Sequence, residues 1–180
     1  METVKQGCLA LAMTIACSAP VFAQEAKSAL LAKQLAAALD AGRLDSVAAK
    51  DPANPGVYIG ALYLPGLQLL TIAAKYSVPE LIDARLTKKE YRDVYVELNG
   101  AGDPATKVFI EDRGCNGLVA KQEENRGADS YEAWGKRTTF DSDWKKQKLS
   151  EEDYLKTFSE ADQRYADILA ALLAQLKKSS

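Results

Sequence analysis

Histidine is absent from all 180 residues. Its absence removes the commonest general base, the commonest metal ligand and the usual partner of a nucleophilic Ser or Cys. Zinc-finger spacing, the zinc-protease helix and His-ligated haem go with it. Catalysis would fall to Asp, Glu, Lys, Tyr, Arg or a bound cofactor. Cysteine is scarce as well. Cys8 and Cys17 lie in the apolar N-terminal stretch, which leaves Cys115 as the single thiol beyond it. No intrachain disulfide can then form in the rest of the chain. Cys115 reads as a buried inert thiol, ahead of a surface thiol or an intermolecular link. Charge of one sign is lacking too, with 23 basic against 25 acidic residues. A net charge of −2 offers no footprint for nucleic acid or anionic lipid. The acids at Glu123-Glu124 and Glu151-Glu152-Asp153 lack the alternating Asp/Asn loop with a central Gly that calcium needs, so no metal is expected.

No long hydrophobic run is present either. Residues 7–18 are apolar, roughly a dozen against the about 20 that span a bilayer. Lys5 precedes them, and Ala19-Pro20-Val21-Phe22-Ala23 follows, with small residues where signal peptidase reads them. Residues 1–23 are therefore expected to be a cleavable signal peptide, with Gln24 as the mature N-terminus and the periplasm or the exterior as destination. Lipidation at Cys17 ranks lower, because Thr14-Ile15-Ala16-Cys17 lacks the usual Leu three residues before the Cys. Cleavage leaves 157 of the 180 residues. That is one domain, large enough to bury roughly 70% of its unfolded surface. No membrane association is expected after cleavage.

Residues 24–40 read as a helix with a stripe of Leu30, Leu31, Leu35 and Leu39, closed by Gly42. Residues 44–49 are a short candidate strand, followed by a turn at 51–56 with two prolines and a glycine. Residues 57–64 and 67–76 are rich in β-formers and flank Pro65-Gly66, a hairpin signal. Pro79 opens a short helix through Leu81, Ile82 and Leu86, with Ser77 as a cap. Val94, Val96 and Leu98 alternate with Tyr95 and Glu97 in a half-buried strand. Asn99 to Pro104 turns the chain, and residues 107–112 form the next strand. Gly114 and Asn116-Gly117 then supply positive-φ turn positions. Residues 121–149 hold 13 charged side chains in 29 positions and read as a surface-lying or flexible connecting segment, pinned by Trp134, Phe140 and Trp144. From Ser150 a capping-box-like start leads into a long helix. Its apolar seam runs through Tyr154, Phe158, Ala161, Tyr165, Ile168, Leu172 and Leu176. The seam serves either packing on the chain's own sheet or a homodimer. The domain then divides into an α+β core at 24–120, the polar segment and the C-terminal helix at 150–180.

The order helix, strand, strand, strand, helix, strand, strand over residues 30–112 resembles the flavin-binding split β-barrel, the pyridoxamine-phosphate-oxidase-like superfamily. The resemblance implies an α+β fold: a small split-barrel-like antiparallel sheet with an N-terminal helix, one crossover helix and the long C-terminal helix. It also implies a flavin phosphate site after the third strand, where Lys75, Ser77 and Arg85 are the matching residues. Pro79 and Glu80 stand at the helix start where a basic residue would be expected, and the Glu80 carboxylate would repel a phosphate. The fold is thus implied more directly than flavin.

Two other clusters stand out. Tyr91-Arg92-Asp93 with Tyr95 reads as a strand-edge ion pair. In Asp112-Arg113-Gly114-Cys115-Asn116-Gly117, Arg113 could lower the thiol pKa, but turn geometry explains the glycines. No residue is assigned a catalytic role. The expected function is that of an exported protein binding a small ligand or a partner, without a required cofactor. The alternatives are an FMN-dependent oxidoreductase of the split-barrel type and a dimerising envelope structural protein.

Overall fold

The computed structural model describes residues 26–43, 48–50, 53, 57–64, 68–76, 92–99, 107–124 and 126–178. The order is α1 (Lys27–Asp40), β1 (Ala48–Lys50), β2 (Val57–Leu64), β3 (Gln68–Tyr76), β4 (Arg92–Asn99), β5 (Val108–Arg113), β6 (Asp129–Ala133), β7 (Lys136–Phe140) and α2 (Glu151–Lys178). Each strand pairs antiparallel with the next, giving one seven-stranded sheet in sequence order. The α+β class with a helix at each end is as expected. Among the described residues no ladder joins β7 back to β1 to close a barrel. The expected signal peptide, the helix at 79–86 and the turn at 100–104 lie outside the described residues.

Alternation along the strands gives the sheet two unlike faces. One face carries Leu70, Ile72 and Ala74 of β3, Val94, Val96 and Leu98 of β4, Val108 and Ile110 of β5, and Tyr131 and Phe140 of β6 and β7. These join Leu35 and Leu39 of α1 and Tyr165, Leu169 and Leu172 of α2 in one core. Each such side chain, once buried, contributes about 1.5–3 kcal/mol. Both helices therefore belong to this face.

α2 starts as its sequence dictates. The Ser150 hydroxyl accepts from Asp153 N at 3.0 Å and donates to Asp153 Oδ2 at 2.6 Å. Its seam (Tyr154, Ala161, Tyr165, Ile168, Leu172, Leu176) is buried in the chain's own core. Of the two roles open to that seam, packing on the chain's own sheet is the one it fills. α1 is rotated from the expected stripe. Ala32, Leu35, Ala38 and Leu39 face inward, whereas Leu30 is 64% exposed. Small Ala32 and Ala38 let the helix approach closely, and that selects the face. Gly42, at φ 68°, closes the helix, with Arg43 N donating to Ala38 O at 2.9 Å.

α1 has no side-chain cap of its own. Asp162 of α2 supplies one, its carboxylate accepting from Lys27 N at 2.7 Å and Ser28 N at 3.0 Å. This satisfies two orphan donors and places negative charge at the positive end of the helix. The Ser28 hydroxyl donates to Asp162 Oδ1 at 2.7 Å and accepts from Leu118 N at 3.0 Å.

The polar segment at 121–149 differs from expectation, because it contains β6 and β7. Asp129, Tyr131, Ala133, Thr138 and Phe140 point to the core face and are buried. The charged and polar residues between them take the other face. Trp144 and Phe158 pack at the margin of the core, and Phe140 meets Phe158 edge-on at 5.1 Å. The hairpin turns on Trp134 and Gly135, both at positive φ (57° and 69°). A bulky residue is an outlier there, at a cost of about 1 kcal/mol.

Asp162→Ala is expected to cost about 2–3 kcal/mol, since it removes a cap and strands buried N–H groups. Urea unfolding of both proteins measures it. A loss below about 0.5 kcal/mol would show that Asp162 does not carry the start of α1.

Candidate functional site

Beyond β5 the chain makes a tight turn held by two buried carboxylates. Asp112 accepts from Asn116 N at 3.2 Å, Gly117 N at 3.0 Å and the Tyr165 hydroxyl at 3.0 Å. Asp129 accepts from Arg113 N at 2.7 Å and Val119 N at 2.8 Å. The N–H groups of Arg113, Asn116, Gly117 and Val119 thus end on β5 and β6 side chains, which replace the ladder a strand would supply. Positive φ occurs at Gly114 (115°), Gly117 (89°) and Cys115 (52°); the expectation had placed it at Asn116 rather than Cys115. Gly117 is required on a second ground. A Cβ there would lie 2.5 Å from Ala29 Cα.

Burial raises the Asp112 carboxyl to about 6, opposed by its N–H and hydroxyl donors. Burial, then the Asp112 charge, raises Asp129 to about 8. Tyr165 is pushed well above its ordinary value by burial and by Asp112, so it stays a donor. Cys115 is buried, its thiol 3.5 Å from Ala32 O. Its burial is as expected. The Arg113 guanidinium, which might have activated it, belongs to the opposite face of the sheet.

That opposite face carries the other cluster. Strand register sets Asp93 beside Arg113, Tyr95 beside Glu111, and Glu111 beside Ser130. Arg113 Nη1 donates to Asp93 Oδ2 at 3.0 Å and to the Tyr95 hydroxyl at 2.8 Å, and Nη2 pairs with Glu111. Arg137 Nη2 donates to Glu111 Oε2 at 2.6 Å and Ser130 Oγ at 2.9 Å. The guanidiniums also lie over rings, Arg113 over Tyr95 at 5.4 Å and Arg137 over Phe109 at 5.6 Å. Asp93 and Glu111 are each 4% exposed, so two carboxylates are buried on a face that no described helix covers. Burial and then Asp93 raise the Tyr95 phenol, which keeps its proton and donates to Asp93. Burial works to lower Arg113, and Asp93 and Glu111 outweigh it. Two of its buried polar atoms, Asp93 Oδ1 and Arg113 Nε, have no hydrogen-bond partner among the described residues.

The same register places Ala61, Thr71 and Ala73 together on β2 and β3, next to this network. Ile59 and Tyr63 flank them, 46% and 68% exposed. Small side chains between larger ones make a shallow strip along the face, with the charge-paired network as one wall.

Of the residues expected to hold a phosphate, Ser77 and Arg85 lie outside the described residues. Lys75 is a β3 position in register with Asp93 and Val57. Tyr91 also lies outside. Asp93 and Tyr95 do come together, but not as a strand-edge pair, because β4 is flanked by β3 and β5. Their partner Arg113 is 20 residues from Asp93 in the chain. Glu111, Ser130 and Arg137 were missed. A signal was present in Glu111, a carboxylate directly after the apolar Phe109-Ile110. Among the described residues no group of three or more His, Cys, Asp or Glu is placed to hold a metal ion. Among them, too, no helix is long and apolar enough to cross a membrane.

The raised carboxyls of Asp112 and Asp129 mean that the folded chain binds protons more tightly than the unfolded one. Their contribution is therefore fully present below the ordinary carboxylate range, near pH 4, and is lost as pH rises through about 6 to about 8. Thermal unfolding at constant ionic strength should give a higher Tm at pH 5.5 than at pH 8.5, and Asp129→Asn should flatten the difference. An unchanged slope in Asp129→Asn would remove Asp129 as its source.

No family model, no curated protein and no solved structure matches the chain.

Proposed function

We propose that the chain is a binding protein rather than an enzyme, and that it takes a small ligand on the sheet face that no described helix covers. The observation that carries this reading is the asymmetry of the sheet. Both described helices are committed to one face, and the other combines small side chains, exposed Ile59 and Tyr63, and a paired charge network. The four charges of Asp93, Glu111, Arg113 and Arg137 are paired within the network, so it offers orientation and hydrogen bonding rather than a free base or nucleophile. A neutral, largely apolar ligand with one polar edge fits the strip, its polar edge toward Tyr95 and Asp93.

Flavin remains the second reading, and one placement favours it. Lys75 lies two residues along β3 from Ala73, in register with Asp93. In this reading FMN supplies the redox chemistry, and the chain binds and orients it.

Native mass spectrometry and an absorbance spectrum of protein purified from its natural compartment test both readings. The binding reading expects a non-covalent adduct that Ala73→Trp, which fills the strip, removes while circular dichroism is unchanged. A flavin spectrum in that adduct, and FMN fluorescence quenched by the native protein, would favour the second reading over the first. An adduct that survives Ala73→Trp would place the ligand elsewhere and contradict both.

A further inference from the structure

Arg113 is held from both faces of the sheet. On the core side its N–H donates to Asp129 Oδ1 at 2.7 Å. On the other side its guanidinium donates to Asp93 Oδ2 at 3.0 Å and the Tyr95 hydroxyl at 2.8 Å, and pairs with Glu111. Alternation produces this arrangement. Glu111, Asp112 and Arg113 are consecutive on β5, as are Asp129 and Ser130 on β6. Glu111 is in register with Ser130 on the outer face. One step further along both strands sets Asp112 beside Asp129 on the core face.

Both carboxylates are fully buried, and among the described residues neither has an ion-pair partner. α2 turns Tyr165 toward them, and the turn beyond β5 brings Glu123 and Cys115. Arg126 of that turn is engaged by Glu123 at 2.9 Å. α1 brings Ser28, whose hydroxyl is bonded to Asp162. Two like charges buried side by side do not both ionise readily, so the pair holds one proton between them. The donors decide where it sits. Asp112 accepts from two N–H groups and the Tyr165 hydroxyl, and Asp129 from two N–H groups only. Bonds to the charged form keep Asp112 ionised and leave the proton on Asp129. The carboxyl values agree, about 8 for Asp129 against about 6 for Asp112.

We propose that the proton shared by Asp112 and Asp129 is a switch for the opposite face of the sheet. While it is held, the ends of β5 and β6 stay together and Arg113 keeps Asp93, Tyr95 and Glu111 in place. When it leaves, two buried charges repel, the strand ends part and Arg113 is drawn out of its network. The coupling passes through one residue bonded on both faces, so it requires no longer route. A carboxyl raised by folding loses its contribution as pH rises, so the network is intact near pH 6 and loosened above about 8. Tyr95 and Tyr165 keep their protons in that range, since both are raised above the ordinary phenol value. The proposal does not rest on a ligand, because every group it invokes is bonded within the chain.

An NMR titration of the full chain tests it, following the Asp carboxyl carbons and the Arg113 Nε–H signal from about pH 5 to about pH 9.5. Asp129 should titrate well above the ordinary carboxylate range, and the Arg113 signal should move with the same midpoint. Asp112→Asn removes the like charge and should lower that midpoint by about one pH unit or more. In Asp129→Asn the Arg113 signal should lose its pH dependence. Thiols titrate in the same range, so Cys115→Ala is the control and should keep the midpoint. The native titration decides the matter alone should Asp112→Asn not fold. Asp129 titrating near 4 would overturn the proposal, as would an Arg113 signal that stays fixed while Asp129 titrates. A midpoint that vanishes in Cys115→Ala, or rises in Asp112→Asn, would overturn it as well.

Discussion

Ser28 is where three parts of the molecule meet. Its hydroxyl donates to Asp162 of α2 and accepts from the N–H of Leu118, and its own N–H is capped by the same carboxylate. The residue is fully buried. Loss of this junction would leave several buried donors unpaired, at about 1–3 kcal/mol each. The turn beyond β5 must then be tight enough to bring Leu118 there. This is why Gly117 lies against the α1 backbone and why Asp112 and Asp129 hold the intervening N–H groups. The polar contacts contribute geometry more than net energy. They decide which face of the sheet receives both helices, and the apolar core then supplies the stabilisation.

That choice of face has a functional consequence. α1 and α2 share one side, where backbone donors and Tyr165 hold Asp112 and Asp129, and the paired charge network takes the other side. There Asp93, Glu111, Arg113 and Arg137 neutralise each other and are fixed by Tyr95 and Ser130. That surface is charge-balanced and edged by exposed Ile59 and Tyr63, and the two carboxyls raised toward neutrality are sealed on the core side.

Much of the architecture was legible from local pattern. β2 to β5 show as β-forming or alternating runs, and α2 carries its start signal and a sustained seam. What failed was information that is not local. β6 and β7 alternate, but their inward set includes Asp129 and Thr138, so hydropathy marks them only weakly. Their turn is Trp-Gly rather than Asn-Gly. α1 turned its alanines inward because close approach mattered more than leucine content. Asp93, Tyr95 and Arg113 were each visible as singular residues, but only strand register makes them neighbours. Asp112 stands out only within the Asp112–Gly117 string, and Asp129 carries no mark of its own in the polar segment. Their role depends on N–H groups of a turn whose path no periodicity records. Of the phosphate-site residues, Lys75 is a β3 position, and Ser77 and Arg85 lie outside the described residues.

Amide hydrogen exchange of residues 113–119 tests most directly whether carboxylate-held backbone closes the helical face. Arg113, Gly117, Leu118 and Val119 each donate to a buried side chain and should exchange as slowly as the central residues of β4 and β5. Exchange as fast as at the exposed Trp134–Lys136 turn would mean that the turn opens locally. The helices would then owe their face to the apolar core alone.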